Sequence, residues 1–446
     1  MTNVVHRTLL STPPPAVGGE GPYLIDESGK RYLDASGGAA VSCLGHQHPV
    51  VISALREQAS QLAYAHTGFF TSAPAEELAH MVAERAPGDL NKVFFVSGGS
   101  EAIESALKLA RQYFLDKGEP DRHKIIARAQ SFHGNTLGAL SVGGNEWRRK
   151  QFEPLLLEVG RIPPCYAYRI QEPGESLEDY GRRAANELET KILEMGPETV
   201  AAFVAETVVG ATAGAVPPAP GYFMRIREIC DQYGVLLILD EIMCGVGRTG
   251  TWISCEQDGV VPDMMTLAKG LAAGYQPIGA LVVADQIYNQ IQGTSGFFQH
   301  SFTFMGHPMA CAAGRATLTV IAEDNLLTRV TEAGAGLMDR LTARFGNHPY
   351  VGDIRGRGLF QAVEFVTDRG SKDPLDPELQ FAAKLKKAAF ENGLICYPMG
   401  GTIDGRFGDH VLLAPPFIIS DEQLDELTGK LGEAVDAVCH ALGLPL

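Results

Sequence analysis

The amino-acid sequence predicts an α/β protein in which helices cover a large, mainly parallel sheet, followed by a smaller α+β lobe. The first observation is a strand, turn and helix pattern that repeats between about residues 75 and 320. Its strand candidates are short apolar runs at 92–96, 124–127, 200–205, 235–239 and 279–284. The second observation is a change beyond about residue 320, where helical periodicity dominates before a strand candidate at 358–365 and a glycine-rich stretch at 399–409. Two alternating stretches around a glycine-containing turn predict a hairpin at 21–34.

Composition limits the classes of protein that this chain can be. Its 446 residues are enough for a substantial core, and 45% hydrophobic with 20% charged residues is too apolar for a disordered chain. Acidic residues outnumber basic ones by 53 to 37, and the sequence contains no stripe rich in Lys or Arg. Nucleic acid is therefore not expected as a partner.

Cysteine usage and hydropathy indicate the compartment. The eight cysteines are scattered, without Cys-x-x-Cys pairs or clustered histidines, so neither a disulfide framework nor a metal site is expected. The amino-terminal segment lacks a charged region followed by an apolar one, and no window approaches 18 continuous apolar residues. We therefore expect a cytoplasmic protein with no membrane partner.

A glycine-rich turn follows the first strand candidate, within the segment 93–102. The residues after it keep the apolar spacing of a helix, so the turn lies at a helix amino end. Such an end carries unpaired N–H groups and a positive dipole, and glycine allows a ligand to approach the backbone closely. Gly99 and Ser100 are therefore candidates to bind a phosphate, although similar turns also serve simple chain reversal.

Two carboxylates, Asp240 and Glu241, end the apolar run 236–239, which reads as a fully buried strand. Ligands of open α/β sheets bind just outside the carboxyl ends of the strands, so Asp240 is expected at the mouth of a site. An ionised carboxylate at that position would keep a nearby pyridine nitrogen protonated. The alternative is an Asp that caps the following helix.

Lys269 closes another apolar run, 262–268, and is followed by Gly270 and further small residues. This is a poor setting for a solvated cation, which is the usual role of a lysine. Near a cationic ring the pKa of its ammonium group should fall, leaving an amine that can condense with an aldehyde and transfer a proton. A lysine, an aspartate and a phosphate-binding turn together indicate pyridoxal 5′-phosphate (PLP) chemistry.

Together these residues resemble the class III aminotransferases, PLP-dependent enzymes of fold type I that are also called ω-aminotransferases. The resemblance runs from Gly21 to Pro416, and the motifs between Ser97 and Pro308 keep the order of the family. It implies a mainly parallel sheet of the seven-stranded type and a smaller α+β domain formed by both chain ends. The expected divisions are 1–60 for the N-terminal part of the small domain, 61–320 for the large PLP-binding domain and 321–446 for the C-terminal small domain.

The resemblance assigns roles to several residues that would surround the cofactor. Gly99 and Ser100 match the phosphate-binding Gly-Ser of the family, and Phe132 with His133 matches its aromatic-His-Gly motif, in which the aromatic ring stacks on the cofactor. His133 is interpreted as a residue that orients its neighbours.

The remaining matches lie farther along the chain. Asp240 matches the aspartate bound to the ring nitrogen, Ile242 the aliphatic residue on the other ring face, and Lys269 the Schiff-base lysine. Glu206 matches a strand-terminal glutamate, for which a structural role and a catalytic role both remain open. Thr303 matches a threonine that reaches the phosphate from the neighbouring subunit. We therefore expect a homodimer or a dimer of dimers with shared active sites.

Departures from the family bear on the substrates. In the ornithine and γ-aminobutyrate branches a Glu–Arg pair switches between the amine donor and 2-oxoglutarate, and Ala211 and Leu412 stand at those two positions here. Arg406 lies close to the position of the mobile loop arginine of pyruvate-linked ω-aminotransferases, which makes it a candidate for binding the substrate carboxylate; a solvated arginine is the alternative. Phe69 is expected at the entrance of the partner's site or in the subunit interface.

We therefore predict a PLP-dependent aminotransferase that moves an amino group from an ω-amino acid or primary amine to an oxo acid, with pyruvate as the expected acceptor. The expected mechanism is ping-pong: Lys269 is displaced by the amine and moves the Cα proton, and pyridoxamine phosphate then aminates the oxo acid. A PLP lyase of the same class and a 2-oxoglutarate-dependent aminotransferase stay open as alternatives. A non-enzymatic binding protein is not expected, because Lys269 and Asp240 are both present.

Overall fold

The structure is a computed structural model that describes residues 2–445. Strands and helices alternate through most of the chain. The strands are β1 (Ala16–Glu20), β2 (Tyr23–Asp26), β3 (Arg31–Asp34), β4 (Leu90–Val96), β5 (Lys124–Arg128), β6 (Gly160–Ile162), β7 (Val200–Glu206), β8 (Leu236–Asp240), β9 (Met264–Leu267), β10 (Gly279–Ala284), β11 (Val351–Arg357), β12 (Phe360–Phe365), β13 (Leu394–Ile395), β14 (Tyr397–Gly400) and β15 (Asp409–Leu413). The helices are α1 (Gly37–Ala40), α2 (Pro49–Gln61), α3 (Ala73–Ala83), α4 (Gly99–Asp116), α5 (Leu137–Val142), α6 (Glu146–Arg149), α7 (Ala167–Ile170), α8 (Leu177–Met195), α9 (Tyr222–Tyr233), α10 (Asp285–Gly293), α11 (Pro308–Glu323), α12 (Leu326–Phe345), α13 (Phe381–Glu391) and α14 (Asp421–Ala441).

The central sheet has seven strands in the order β4-β10-β9-β8-β7-β5-β6. Only β10 runs against its neighbours, so the mainly parallel sheet predicted from the sequence is confirmed. Every residue of β7 and β8 is buried, which explains why these strands read as continuous apolar runs rather than alternating ones. The five apolar runs predicted as strands correspond to β4, β5, β7, β8 and β10.

Helices cover the faces of this sheet. In α4 the buried positions Ile103, Ala106, Ala110 and Phe114 follow the helical period and pack onto the sheet with strand residues of β7 to β10. On the other face α8 and α9 pack against each other and bury residues such as Leu188 in the large core cluster. This packing fixes the amino end of α4 at the sheet edge where β4 ends.

Both chain ends contribute to the sheets outside the central one. β1, β2 and β3 form antiparallel pairs, and the hairpin predicted around 21–34 is present as β2 and β3. β13, from the C-terminal part, adds to β3 in parallel. A second four-stranded sheet has the order β11-β12-β15-β14. The domain boundaries at residues 60 and 320 stay a prediction.

Two further observations concern the compartment. All eight cysteines are buried and free. Among the helices that the structure describes, none combines the length and the hydropathy of a membrane span. The cytoplasmic location stays a prediction.

A buried ion network joins the C-terminal sheet to the loop that follows β7. Glu364, on β12, is fully buried and accepts hydrogen bonds from Arg355 Nη1 at 2.6 Å and from Arg169 Nε at 2.8 Å. Arg355 also donates from Nε to the Gly214 carbonyl oxygen at 2.7 Å. A buried charge is tolerated only when it is paired in this way, so each member depends on the others.

Replacing Glu364 by Gln should therefore destabilise the fold. The change leaves Arg355 and Arg169 without their shared carboxylate, and we expect a loss of about 3–5 kcal/mol in the free energy of unfolding. Denaturant unfolding at fixed protein concentration measures it. As a control, Glu332→Gln changes an exposed residue and should shift the free energy by less than about 0.5 kcal/mol.

The difference in the free energy of unfolding between wild type and Glu364→Gln should depend on pH. Burial alone would raise the pKa of Glu364, but the charges of Arg355 and Arg169 hold it below its usual value. The stabilisation by Glu364 is therefore complete above the ordinary carboxyl pKa of about 4.3 and is lost as the pH falls through the lowered native pKa. An equal difference between wild type and Glu364→Gln at every pH would contradict this account.

Candidate active site

One cleft lies at the carboxyl ends of the parallel strands of the central sheet. Its empty volume, including the part that is open to solvent, is about 620 Å³. Eight residues predicted to surround a cofactor line it: Gly99, Ser100, Phe132, His133, Glu206, Asp240, Ile242 and Lys269. They come from segments that follow β4, β5, β7, β8 and β9, so the sheet topology brings them together.

The amino end of α4 forms one wall of the cleft. No side chain caps this helix, so its first backbone N–H groups are available to a ligand. A Cβ atom at Gly99 would lie 2.7 Å from Ile242 Cδ1, so a larger residue there would require the Ile242 side chain to shift. The Ser100 hydroxyl accepts a hydrogen bond from the backbone N–H of Asn135 at 3.1 Å, which ties the turn to the loop after β5. The arrangement suits an anion such as a phosphate.

Asp240 is the last residue of β8, and its carboxylate is held at both oxygens. His133 Nδ1 lies 2.8 Å from Oδ2, and the Ile242 N–H donates to Oδ1 at 2.9 Å. An ionised carboxylate only accepts hydrogen bonds, so Nδ1 carries the proton in this contact. His133 Nε2 is buried and has no hydrogen-bond partner among the described residues. The histidine therefore fixes the orientation of the carboxylate in the cleft.

Glu206 lies beside Asp240 in the parallel register of β7 and β8. Its oxygens accept hydrogen bonds from the backbone N–H groups of Phe132, at 3.0 Å, and Gly210, at 2.8 Å. Burial raises the pKa of Glu206. These contacts fasten the loop that carries Phe132 and His133, which favours the structural role for this glutamate.

The neighbouring carboxylate, Glu241, faces a different set of partners. It accepts hydrogen bonds from the Thr207 hydroxyl at 2.6 Å and from the backbone N–H groups of Ser254 and Cys255 at 2.9 and 2.8 Å. Burial raises its pKa to about 7. Glu241 thus holds loops together, and of the two adjacent carboxylates only Asp240 lines the cleft.

Lys269 follows β9 and borders the cleft. Its φ of +46° is unusual for a residue other than glycine and is typical of backbone held in place by its surroundings. Its Nζ donates to the Ala39 carbonyl oxygen at 2.9 Å. Burial lowers the pKa of the Lys269 ammonium group to about 8, so about one side chain in ten is a neutral amine at pH 7.

Three predicted residues lie outside this cleft. Thr303 is exposed, and its carbonyl oxygen accepts a hydrogen bond from the Tyr64 hydroxyl at 3.0 Å. Phe69 is 82% exposed. Arg406 is exposed in the loop before β15, where its guanidinium lies 5.1 Å from the centre of the Phe407 ring and lines an adjoining cavity. The roles predicted for these residues stay predictions.

A second cavity shares Lys269 with the cleft. Most of the residues that line this second cavity were not predicted from the sequence. Phe132 and Met243 border both spaces, and the far side includes Trp147, Arg148 and Tyr397. Arg148 lies on the four-residue helix α6, within a Trp-Arg-Arg-Lys run that resembles a solvated surface. No periodic pattern distinguishes Arg148 from its charged neighbours, which explains why it was missed.

Comparisons with known proteins agree with this geometry. The family model described as aminotransferase class-III matches residues 10–435. The chain is 46% identical to an uncharacterized aminotransferase of Schizosaccharomyces pombe over 96% of this chain and 94% of that one. It is similar in structure to an (S)-enantioselective omega-transaminase from Thermomicrobium roseum, with a TM-score of 0.92 and 38% identity over 98% of this chain and 96% of that one. An omega-transaminase from Pseudomonas jessenii in complex with PMP gives a TM-score of 0.91 and 33% identity, over 97% and 94% of the two chains. The chain belongs to the class III aminotransferases, a family of PLP-dependent enzymes with fold type I.

Proposed function

We propose that this aminotransferase moves an amino group from an ω-amino acid or primary amine to an oxo acid, with pyruvate as the acceptor, in two alternating half-reactions. The observation that carries the proposal is the meeting of Lys269, Asp240 and the amino end of α4 in one cleft. An amine, a fixed carboxylate and an anion site are the three groups that amino-group transfer with PLP requires.

The residues of the cleft fit PLP. Gly99 and Ser100 at the helix amino end would hold its phosphate, and Asp240 would face its ring nitrogen. Phe132 and Ile242 would lie against the ring. When bound, the cofactor supplies an electron-withdrawing ring that stabilises negative charge on the substrate carbon.

Asp240 and His133 would control the protonation of that ring. The carboxylate of Asp240 favours a proton on the ring nitrogen because opposite charges a few ångströms apart stabilise each other. His133 keeps the carboxylate aimed into the cleft through its 2.8 Å contact. We therefore assign Asp240 a catalytic role and His133 a positioning role.

Lys269 would transfer the proton of the substrate carbon. With its pKa lowered to about 8, the amine accepts a proton at neutral pH and releases it again without a large penalty. The left-handed backbone at Lys269 and the hydrogen bond from its Nζ to the Ala39 carbonyl oxygen set the position of the amine before a substrate binds.

The choice of pyruvate rests on the two positions where other branches of the family carry a Glu–Arg pair. Ala211 and Leu412 are buried in one apolar cluster, together with Met243 and with Tyr397 packed against it. An apolar cluster offers no cation for the second carboxylate of 2-oxoglutarate at that place. Pyruvate, with one carboxylate, does not need such a partner.

The subunits are proposed to assemble so that Thr303 reaches the phosphate site of the partner. Support comes from exposed aromatic side chains in two segments, 64–70 and 297–304: Phe69, Phe70, Phe297 and Phe304 are 82%, 68%, 68% and 57% exposed. The segments that carry Tyr64 and Phe304 contact each other, with the centres of the two rings 6.0 Å apart. Clustered apolar exposure of this kind marks an interaction surface, so we propose a homodimer or a dimer of dimers.

An amine panel tests the reaction itself. Purified holoenzyme is mixed with β-alanine, γ-aminobutyrate, putrescine, alanine or phenylethylamine, and the visible absorbance of the bound cofactor is followed. We expect a true donor to replace this band by the near-ultraviolet band of pyridoxamine phosphate, and pyruvate but not 2-oxoglutarate to restore it. Lys269→Ala, the matched control, should show neither change because it lacks the proton-transferring amine. Accumulation of ammonia with no amino acid formed would indicate a lyase, and restoration by 2-oxoglutarate alone would refute pyruvate.

Variants of the carboxylate and its partner separate catalysis from positioning. Asp240→Asn removes the charge and should lower kcat by about 100- to 1,000-fold, which stopped-flow absorbance of the half-reaction measures. His133→Leu should lower kcat about tenfold with KM little changed, because the carboxylate loses one of its donors. His133→Asn, whose amide can donate to Asp240, should regain most of this loss. A loss that Asn does not reduce would contradict the positioning role.

The proposed interface predicts that one charge at the aromatic surface separates the subunits. Phe304→Asp should shift the protein toward monomer in light scattering, and activity should fall with it because Thr303 is withdrawn from the partner. Leu193→Asp, at a residue 56% exposed on α8, is the matched control and should change neither assembly nor activity. A fully active monomer would overturn the shared active site.

A further inference from the structure

The cavity that opens outward from Lys269 is positively charged. Two arginines, Arg148 and Arg7, are among the described residues that line it, and those lining residues include no Asp or Glu. The chain as a whole carries a formal charge of −16, so this wall differs sharply from the average surface. A concave space with cations and without acids attracts anions.

Arg148 is held in a fixed place on this wall. Its helix is capped by Asn145, whose side chain accepts a hydrogen bond from the Arg148 backbone N–H at 3.2 Å. The guanidinium lies 4.6 Å from the centre of the Phe132 ring, which supports it from one side. Phe132 in turn lines the cleft with Lys269. The Arg148 guanidinium thus packs against Phe132, the same aromatic ring that lines the cleft with Lys269.

The guanidinium of Arg148 has unused hydrogen-bonding capacity. Its Nε and Nη2 atoms are buried and have no partner among the described residues. Atoms buried in this way are closed to a ligand in the cavity, so what the cavity offers an anion is the charge of a guanidinium that lines it. The adjacent Arg149 also has a buried Nε without a partner, but it pairs with Glu146 at 3.2 Å and does not line the cavity. A cation that lines a cavity without a carboxylate partner among the described residues favours an anionic ligand. A carboxylate matches the planar fork of arginine.

Arg406, the arginine predicted from the sequence, has different surroundings. It is exposed, and the cavity it borders has mixed charges: Glu146, Asp404 and Asp409 line it together with Arg7, Lys150 and Lys386. Lys269 does not line that cavity, whereas it lines the one that contains Arg148. The geometry therefore favours Arg148 as the partner of a substrate carboxylate.

The rest of the lining of this cavity is mainly apolar and aromatic. It includes Ala211, Met243 and Phe152, beside the polar Asn135 and Gln151. Such a lining suits a short chain of methylene groups, whose apolar surface is removed from water when it binds there. The cavity thus combines an amine-reacting residue, apolar side chains and a cation.

We propose that Arg148 binds the carboxylate of an amino-acid donor whose amine, separated from that carboxylate by a short apolar chain, is presented to Lys269. This assignment rests on the proposed aminotransferase function and narrows its donor to amines that carry a carboxylate. The oxo acid pyruvate lacks such a distal carboxylate, so its half-reaction makes little use of Arg148. The choice of pyruvate over 2-oxoglutarate rests on Ala211 and Leu412 alone, and the amine panel tests it separately.

The experiment compares pairs of amines that differ only in the carboxylate: 3-aminopropanoate with propylamine, 4-aminobutanoate with butylamine, and 6-aminohexanoate with hexylamine. The half-reaction is followed by absorbance for wild-type holoenzyme, Arg148→Gln and the matched control Arg149→Gln. For Arg148→Gln we expect the half-saturating concentration of the preferred amino acid to rise about 10- to 100-fold, with the values for its neutral amine and for pyruvate changing less than about threefold. Arg149→Gln should leave all of them unchanged.

A binding measurement without turnover supplies the second test. Hexanoate, which has no amine, should bind wild-type holoenzyme in isothermal titration calorimetry and should bind Arg148→Gln at least tenfold more weakly. If no amine reacts with the wild type, the aminotransferase proposal fails, and the hexanoate titration still decides the role of Arg148. Equal losses for amino acids and neutral amines would overturn the proposal. So would a charge-selective loss in Arg406→Gln but not in Arg148→Gln.

Discussion

The active site depends on two buried carboxylates at the ends of adjacent strands. Glu206 and Asp240 lie side by side in the sheet, where neither can be solvated freely, so each must find donors in the protein. One donor to each carboxyl group comes from the same loop: Glu206 accepts from the backbone of Phe132, and Asp240 from the ring of His133. Pairing the two carboxyl groups therefore helps to fix this loop, and the loop places the aromatic ring that lines the cleft and supports Arg148.

The C-terminal sheet meets the same site through a second buried charge system. Arg355, paired with Glu364, donates to the carbonyl oxygen of Gly214. That glycine is three residues beyond Ala211, which lines the outer cavity. Moving Arg355 away would leave the buried charge of Glu364 without this partner, so Arg355 stays in place and holds the loop after β7 against the C-terminal sheet. The shape of the substrate cavity is thus coupled to the stability of the lobe that borders it.

The sequence predicted those features that local chemistry determines. Buried parallel strands have no polar face, so β7 and β8 read as apolar runs, and Asp240 and Lys269 stand where such runs end. The turn at Gly99 was recognisable because glycines stand between a strand-like run and a helical period. The mainly parallel, seven-stranded sheet agreed with the family resemblance. Local patterns and order along the chain were sufficient for this part of the site.

The outer cavity was not predictable, because long-range packing forms it. Glu364 and Arg169 are 195 residues apart in the sequence, and no local pattern predicts that they pair. Arg148 lies against the Phe132 ring and lines the cavity, whereas Arg149 pairs with Glu146, and this difference depends on where the loop after β5 is fastened. The contact proposed between Thr303 and a phosphate involves a second chain, so one chain alone does not test it.

A fixed cation and a mobile cation select substrates in different ways. A loop arginine can turn to solvent when a neutral amine binds, so it adds affinity for carboxylates without rejecting other amines. Arg148 lies on a capped helix and against an aromatic ring, so its surroundings hold it more closely than those of an exposed loop arginine. A neutral amine that fills the cavity would offer this guanidinium no acceptor, and a site built to pair with a carboxylate discriminates against ligands that lack one. Selectivity for carboxylated donors then arises as much from the penalty on neutral amines as from the attraction of the carboxylate.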